Sequence, residues 1–184
     1  MKSLKEQELR EWFDASSSTI AINQHGHLVY RAAKNFGIKV NVPADATGAV
    51  ALTSVLFSPQ EEFYGGILFY NEWDLGTPSI EKCGLRILEK MRNGYGVTSS
   101  IANAPAQLFR SDELVDAQAF FSLALLFGWD AFFAPHDGRY IAYSRRNASL
   151  FVITQDEHSL QALEESFGFY QPVRGLPSHL LRAV

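Results

Sequence analysis

The sequence predicts an α+β fold with a mixed, largely antiparallel sheet and a buried central helix. Residues 114–127 are almost wholly apolar, and a helix that is apolar on all sides must be covered on all sides. Residues 129–134, 139–145 and 149–154 then read as three successive strands, which predicts a C-terminal three-stranded meander. Upstream, isolated strands lie between helices, and this irregular order favours α+β over a parallel α/β fold.

Composition indicates an ordinary globular protein. The 184 residues are 47% hydrophobic and 20% charged, so we expect one α+β domain over residues 1–184. A net charge of -4 and a pI near 5.7 argue against a nucleic-acid partner. Cys83 is the single cysteine, which excludes an intrachain disulfide and favours a reducing compartment.

Targeting signals are not evident, and we therefore expect a cytoplasmic protein. Residues 1–13 alternate charged and apolar side chains and lack the apolar core of a signal peptide. The longest apolar stretch, residues 119–129, is too short to cross a bilayer. No membrane association is expected.

The first 18 residues predict an amphipathic helix followed by a hinge. Ser3 and Glu6 have the spacing of a capping box. Four apolar residues can share one helical face that packs on the main body, namely Leu4, Leu9, Trp12 and Phe13. The helix should end near Ala15, and residues 16–18, all serine, form the hinge.

Residues 19–57 leave two alternatives open. Residues 20–22 and 28–30 flank a turn with Gly26 and suggest a hairpin, but residues 28–36 could instead form a helix ended by Gly37. The next segment, from residue 38 to residue 42, alternates as a strand does. A helix is expected from about Asp45.

The middle of the chain predicts a buried strand and a well-defined helix. Residues 65–73 are continuously apolar in their centre, and Thr77 and Pro78 suit a helix start, with Asn93 and Gly94 at its end. Its inward face should consist of Ile80, Cys83, Gly84, Ile87, Leu88 and Met91.

Shorter elements complete the prediction. A short strand is expected at residues 107–110, and Ser111 is placed to cap the central helix. Thr154 and Glu157 form a second capping box for a helix over residues 156–167. The tail from Gly168 should wrap the surface.

If Asp137 and Gly138 form a two-residue turn, the register of the first two meander strands follows, whereas a four-residue loop over residues 135–138 would shift the pairs by two and keep the same faces. With the two-residue turn, His136 pairs with Arg139, and three further pairs follow by counting: Asp130 with Arg145, Phe132 with Tyr143, and Trp129 with Arg146. One face carries Asp130, Phe132, Ala134, Ile141, Tyr143 and Arg145, and the other carries Trp129, Ala131, Phe133, Tyr140, Ala142 and Arg146. We expect the chain to cover both faces, although one aromatic face could form an interface.

Candidate chemistry is sparse. His25, His27 and His136 could bind a metal, but a structural zinc site needs four ligands and a catalytic one three, and Cys83 is poorly placed to join them. We therefore expect no metal and no cofactor. Glu72 and Asp74 end the buried strand and could act with His136 in acid–base catalysis. Serine-nucleophile and phosphate-loop motifs are absent from the sequence.

The arginines of the meander admit two interpretations. Arg139, Arg145 and Arg146 could form a basic, aromatic-lined patch. The simpler interpretation pairs Arg145 with Asp130 and stacks Arg146 on Trp129.

The preferred hypothesis is a non-catalytic interaction module that binds a protein partner or a second copy as a homodimer. Its contact residues would be Trp129, Phe133, Tyr140, Tyr143 and Arg146. The first alternative is a small hydrolase or transferase, which requires Glu72, Asp74 and His136 to converge in one pocket. The second alternative is a small-ligand sensor with an aromatic pocket between the central helix and the sheet, which a large apolar cavity there would favour.

Overall fold

A computed structural model of the chain describes residues 1–15, 20–22, 28–30, 35–58, 63–72, 80–145 and 148–177. The described helices are α1 (Glu6–Ala15), α2 (Ala46–Leu56), α3 (Ile80–Gly94), α4 (Leu114–Phe127) and α5 (Glu157–Ser166). The described strands are β1 (Lys2–Leu4), β2 (Ile20–Ile22), β3 (Leu28–Tyr30), β4 (Phe36–Asn41), β5 (Gly66–Glu72), β6 (Ala106–Phe109), β7 (Asp130–Pro135), β8 (Ile141–Arg145), β9 (Ser149–Thr154) and β10 (Val173–Arg174). No helix within these ranges is long and apolar enough to cross a membrane.

The α+β prediction is confirmed. Eight strands form one sheet in the order β1-β6-β5-β7-β8-β9-β4-β10, and β2 pairs with β3 separately. Every described strand pair is antiparallel. Residues 20–22 and 28–30 pair as the hairpin alternative predicts, and β10 shows that the C-terminal tail adds an edge strand rather than only wrapping the surface.

Helices cover both faces of the sheet. On the first face, buried residues of α2, α3, α4 and α5 share one apolar core with the sheet. On the second face, Leu9 and Phe13 of α1 pack with Ile67, Phe132 and Tyr143. The two faces therefore have separate cores, one large and one small.

The central helix α4 has the predicted bounds and is mostly buried. Phe120, Phe121 and Ala124 have no exposed surface, and the Tyr70 hydroxyl donates to the Phe120 carbonyl over 3.0 Å. Ser111 does not cap this helix, because α4 begins only at Leu114 with Glu113 at its N-cap position.

The pairs that the structure shows between β7 and β8 agree with the predicted register, but the turn spans residues 135–138 and is not a two-residue turn at Asp137 and Gly138. Phe132 lies opposite Tyr143, with their rings stacked 4.2 Å apart. The turn closes with the Gly138 N–H donating to the Pro135 carbonyl, and Gly138 has a φ of 70°, a left-handed value that favours glycine.

Both predicted capping boxes are wrong, because other side chains accept the N–H groups at the starts of α1 and α5. Ser3 lies in β1 and its hydroxyl donates to the carbonyls of Ala104 and Ala106, while Glu8 accepts from the Lys5 N–H at the start of α1. The Thr154 hydroxyl donates to the Arg139 carbonyl. Asp156 caps α5 instead, accepting from the Ser159 N–H. The serine hinge at 16–18 lies outside the described residues.

The buried face of α3 is rotated relative to the predicted one. Gly84, Leu88 and Arg92 face the core at four-residue spacing, whereas Cys83 and Ile87 are exposed. Arg92 on this buried face donates through Nη2 to the Ser3 hydroxyl and to the carbonyls of Ser99 and Ala104. Thr77 and Pro78, the predicted start of this helix, lie outside the described residues.

Candidate functional site

A groove of about 450 Å³ opens beside the meander, between the end of α2 and one face of α5. Its described lining is mostly apolar and includes four aromatic rings, with a few polar side chains. The lining residues are Val55, Leu56, Phe57, Ser58, Phe63, Leu114, Pro135, Arg139, Tyr140, Ser159, Ala162, Leu163, Ser166 and Phe167.

The end of α2 supplies one wall of this groove. Phe57 caps the helix C-terminus through its N–H, which donates to the Thr53 carbonyl. Its ring packs 4.6 Å from that of Phe133 in the sheet. The apolar side chains at the end of α2 therefore line the groove.

Helix α5 supplies the opposite wall with small side chains. Ser159, Ala162 and Ser166, together with Leu163, recur at three- and four-residue spacing and so lie on one helical face. Small residues at these positions leave space that larger side chains would fill. Ala162 is exposed at the mouth, whereas Phe167 is buried at the end of the helix.

Tyr140 joins the sheet to α2 inside the groove. Its hydroxyl donates to the Leu56 carbonyl over 3.2 Å. Burial raises the pKa of Tyr140 above its ordinary value, so the phenol stays neutral at physiological pH. The hydrogen bond ties the start of β8 to the α2 wall of the groove.

Arg139 carries a positive charge at the rim. Its Nε donates to Asp137 Oδ2 over 2.7 Å, and its Nη2 lies 2.6 Å from the same oxygen. The Arg139 N–H also donates to Asp137 Oδ1 over 3.2 Å. The side chain keeps 29% of its surface exposed, so the turn presents a fixed but accessible guanidinium.

The predicted contact residues lie mostly in the core. Trp129 and Phe133 have no exposed surface and Tyr143 has 2%. The Tyr143 hydroxyl lies 3.2 Å from Asp130 Oδ2. Arg146 lies outside the described residues, and of the four candidates that the structure describes, Tyr140 alone lines the groove. The chain itself thus covers these aromatic side chains on both faces.

The structure does not bring the catalytic candidates together. His136 follows Pro135, which pairs with the first residue of β5, whereas Glu72 is the last residue of that strand. The two ends of this seven-residue strand are six residue steps apart, which corresponds to roughly 20 Å. Asp74 lies outside the described residues. The backbone positions of Glu72 and His136 therefore do not support the convergence that the enzyme alternative requires.

Of the three histidines considered as metal ligands, the structure describes only His136. His136 contacts the ring of Trp12, with centroids 5.9 Å apart, and Cys83 is exposed on α3. Within the described ranges, no three His, Cys, Asp or Glu side chains are grouped so that they could hold a metal ion. His25 and His27 lie outside those ranges.

Sequence reasoning missed the residues that shape the groove. Phe57 and Phe63 lie in or beside a segment without clear periodicity, and the small face of α5 resembles an ordinary solvent-facing stripe. The spacing of Ser159, Ala162 and Ser166 places small side chains on one helical face. This face lines a groove only because the end of α2, distant in the sequence, lies opposite it.

Compared with known proteins, the chain matches no family model, no curated protein sequence and no solved structure.

Proposed function

We propose that this protein is a non-catalytic binding module that takes a small, largely apolar molecule in the groove between α2 and α5. The observation that carries the proposal is the groove itself, with a volume of about 450 Å³ and a mainly apolar, partly aromatic lining. Small-molecule sites in proteins are clefts of about 300–1,000 Å³ with such linings and a few placed polar groups.

The chemistry of the lining supports binding rather than catalysis. The Ser159 hydroxyl donates to Asp156, and the Ser166 hydroxyl donates to the Ala162 carbonyl. The Tyr140 hydroxyl donates a hydrogen bond to the Leu56 carbonyl. No histidine, cysteine or carboxylate occurs among the described lining residues, so they offer no base to activate a nucleophile.

The groove is preorganised by the core behind it. Phe133 is fully buried and contacts both Phe57 and Phe63, with ring centroids 4.6 and 6.4 Å apart. Tyr140 packs on the same ring at 6.4 Å. A ligand would meet aromatic side chains that are already ordered, which lowers the entropic cost of binding.

A neutral fluorescent probe, N-phenyl-1-naphthylamine, tests the proposal. We expect saturable binding that Ala162→Trp weakens at least about tenfold, equal to about 1.4 kcal/mol, because the indole fills the mouth. Gln161→Trp is the matched control, since Gln161 is an exposed neighbour on the same helix that does not line the groove. Absence of saturable binding, or equal binding by both variants, would contradict the proposal.

Association with a protein partner remains a second candidate, supported by a different surface from the one the sequence suggested. Phe169 is 90% exposed and Val173 is 65% exposed, and both lie on the segment that follows α5. Sedimentation velocity over a range of concentrations tests self-association. If wild type and Phe169→Ser sediment alike as monomers at all concentrations, self-association through this surface is wrong.

A further inference from the structure

We propose that the outer surface of helices α2 and α4 is a dimer interface, at which a second copy of this chain binds across a two-fold axis. The inference does not depend on the groove and concerns a surface other than that of Phe169. The α2–α4 face consists of the exposed residues of these two helices, namely Ala46, Thr47, Val50, Ala51, Ser54, Val115, Ala119 and Leu126.

The α2–α4 face carries no charged side chain. Helix α2 contains no charged residue, and α4 contains only Asp116. The other helices have charged residues on their exposed sides, such as Glu11 on α1, Arg86 on α3 and Glu165 on α5. Charged residues are depleted at the centres of protein interfaces, so the α2–α4 face has the composition of a covered surface rather than of a solvent-facing one.

The face is apolar and continuous across the two helices. Val50 is 43% exposed on α2, and Val115 and Leu126 are 75% and 39% exposed on α4. The two residues of α4 are about three helical turns apart and therefore lie on one stripe. The Gln118 Nε2 donates to the Ser54 hydroxyl over 2.7 Å and joins α4 to α2, so the exposed stripes of both helices form one surface.

Polar side chains at the boundary of the two helices are bonded within the chain. The Ser54 hydroxyl, which accepts from Gln118, donates to the Val50 carbonyl over 3.1 Å. The Ser122 hydroxyl donates to the Gln118 carbonyl over 2.8 Å. Burial is costly for polar groups that lose their partners. These hydroxyls keep theirs when the face is covered, so the cost of covering them is small.

Charge complementarity favours a second copy as the occupant. Each chain has a net charge of -4, so two copies repel each other unless they meet at an uncharged surface. A two-fold contact brings the same patch of both copies together, and a charge on that patch would meet a like charge at high cost. Asp116 is half-buried in the first turn of α4, at one end of the face. The face is therefore compatible with a copy of itself.

The size of the face predicts a weak dimer. Helices α2 and α4 have 11 and 14 residues, which correspond to lengths of about 16 and 21 Å. Packed helices lie about 8–10 Å apart, so the face measures roughly 20 by 20 Å. A contact of this size buries about 800–1,200 Å² in total from both copies, which is the lower end for specific interfaces. We therefore expect a reversible dimer with micromolar or weaker affinity.

Sedimentation equilibrium with lysine substitutions tests the inference. Ala51→Lys and Ala119→Lys each place a charge on the face, one on each helix. Both alanines are exposed, and alanine and lysine are both good helix formers. Gln161→Lys is the matched control, because it adds the same charge at an exposed position on α5. All three substitutions reduce the net negative charge, so general repulsion between copies cannot explain a loss of association.

The mass of wild type should rise from 20.6 kDa toward twice that value as the concentration increases from about 1 μM to about 1 mM. Each lysine on the face should raise the dimer Kd at least about tenfold, whereas Gln161→Lys and Phe169→Ser should leave it unchanged. If one of the two face variants does not fold, the other decides the question.

Three results would overturn the inference. The first is a wild type that stays monomeric over this range, and the second is a dimer whose affinity neither lysine on the face lowers. The third is flotation of monomeric wild type with phosphatidylcholine vesicles that Ala119→Lys abolishes, which would assign the face to lipid and exclude the second copy.

Discussion

Tyr140→Phe is the sharpest test of how the groove is built. The substitution removes one hydroxyl and leaves the ring that packs against Phe133. The lost hydroxyl donates to the carbonyl of Leu56, the last residue of α2. A helix leaves its last four carbonyls without intrahelical donors, so this hydrogen bond satisfies a group that the helix itself cannot.

The expected loss of stability is about 1 kcal/mol. A hydrogen bond of this type contributes about 0.5–1.5 kcal/mol net, and more when its partner stays buried without a replacement. Tyr140 is half-buried and lines an open groove, so water can reach the freed carbonyl and keep the cost within that range. For a chain of this size the loss corresponds to a fall in Tm of about 2–4 °C.

Alkaline pH gives a second readout. Burial raises the pKa of Tyr140 in the folded protein above the ordinary 10.0, so folding favours the neutral phenol. This contribution is fully present below pH 10 and is lost as the pH rises above it. Tyr140→Phe should therefore lose stability less steeply than wild type above pH 10, although Tyr70, whose pKa burial also raises, contributes in both proteins.

Urea unfolding at pH 7 and at several values above pH 10 measures both effects. Tyr170→Phe is the control, because Tyr170 is half-buried but does not line the groove. Equal stability of Tyr140→Phe and wild type at pH 7, with the same alkaline decline, would refute the assigned role of this hydroxyl.

Two further substitutions test the surrounding fold. Asp45→Ala removes the side chain that accepts the Gly48 N–H over 2.8 Å and should cost about 1 kcal/mol in urea unfolding; an unchanged midpoint would show that the cap is not needed. Gly84→Val should cost about 2 kcal/mol or more, because a Cβ there would lie 2.7 Å from Phe127 and 2.8 Å from Trp129. Melting temperature and tryptophan emission measure this change, and a variant with wild-type values would exclude the close approach.

Local patterns were sufficient to predict the meander. Counting from a turn at Asp137 and Gly138 predicted the observed pairing of Phe132 with Tyr143, and the period of two assigned the buried apolar side chains of both strands to the correct faces. The bounds of the central helix followed from its apolar run and from Gly128, which adopts the left-handed conformation at its C-cap.

Features that depend on distant partners could not be predicted. The buried face of α3 includes Arg92, whose acceptors include Ser3, 89 residues away, so no local pattern indicates that this charged side chain is buried. Ser3 itself pairs in the sheet instead of capping a helix. The groove depends on the space between α2 and α5, which are separated by most of the chain, so no local pattern contains it.

A crystal structure of the protein grown with N-phenyl-1-naphthylamine tests the central claim most directly. We predict electron density for the naphthyl ring between α2 and α5, in contact with Phe57 and Tyr140 and beside Ala162. A groove without probe density, or a probe bound only at another surface such as that of Phe169, would contradict the account.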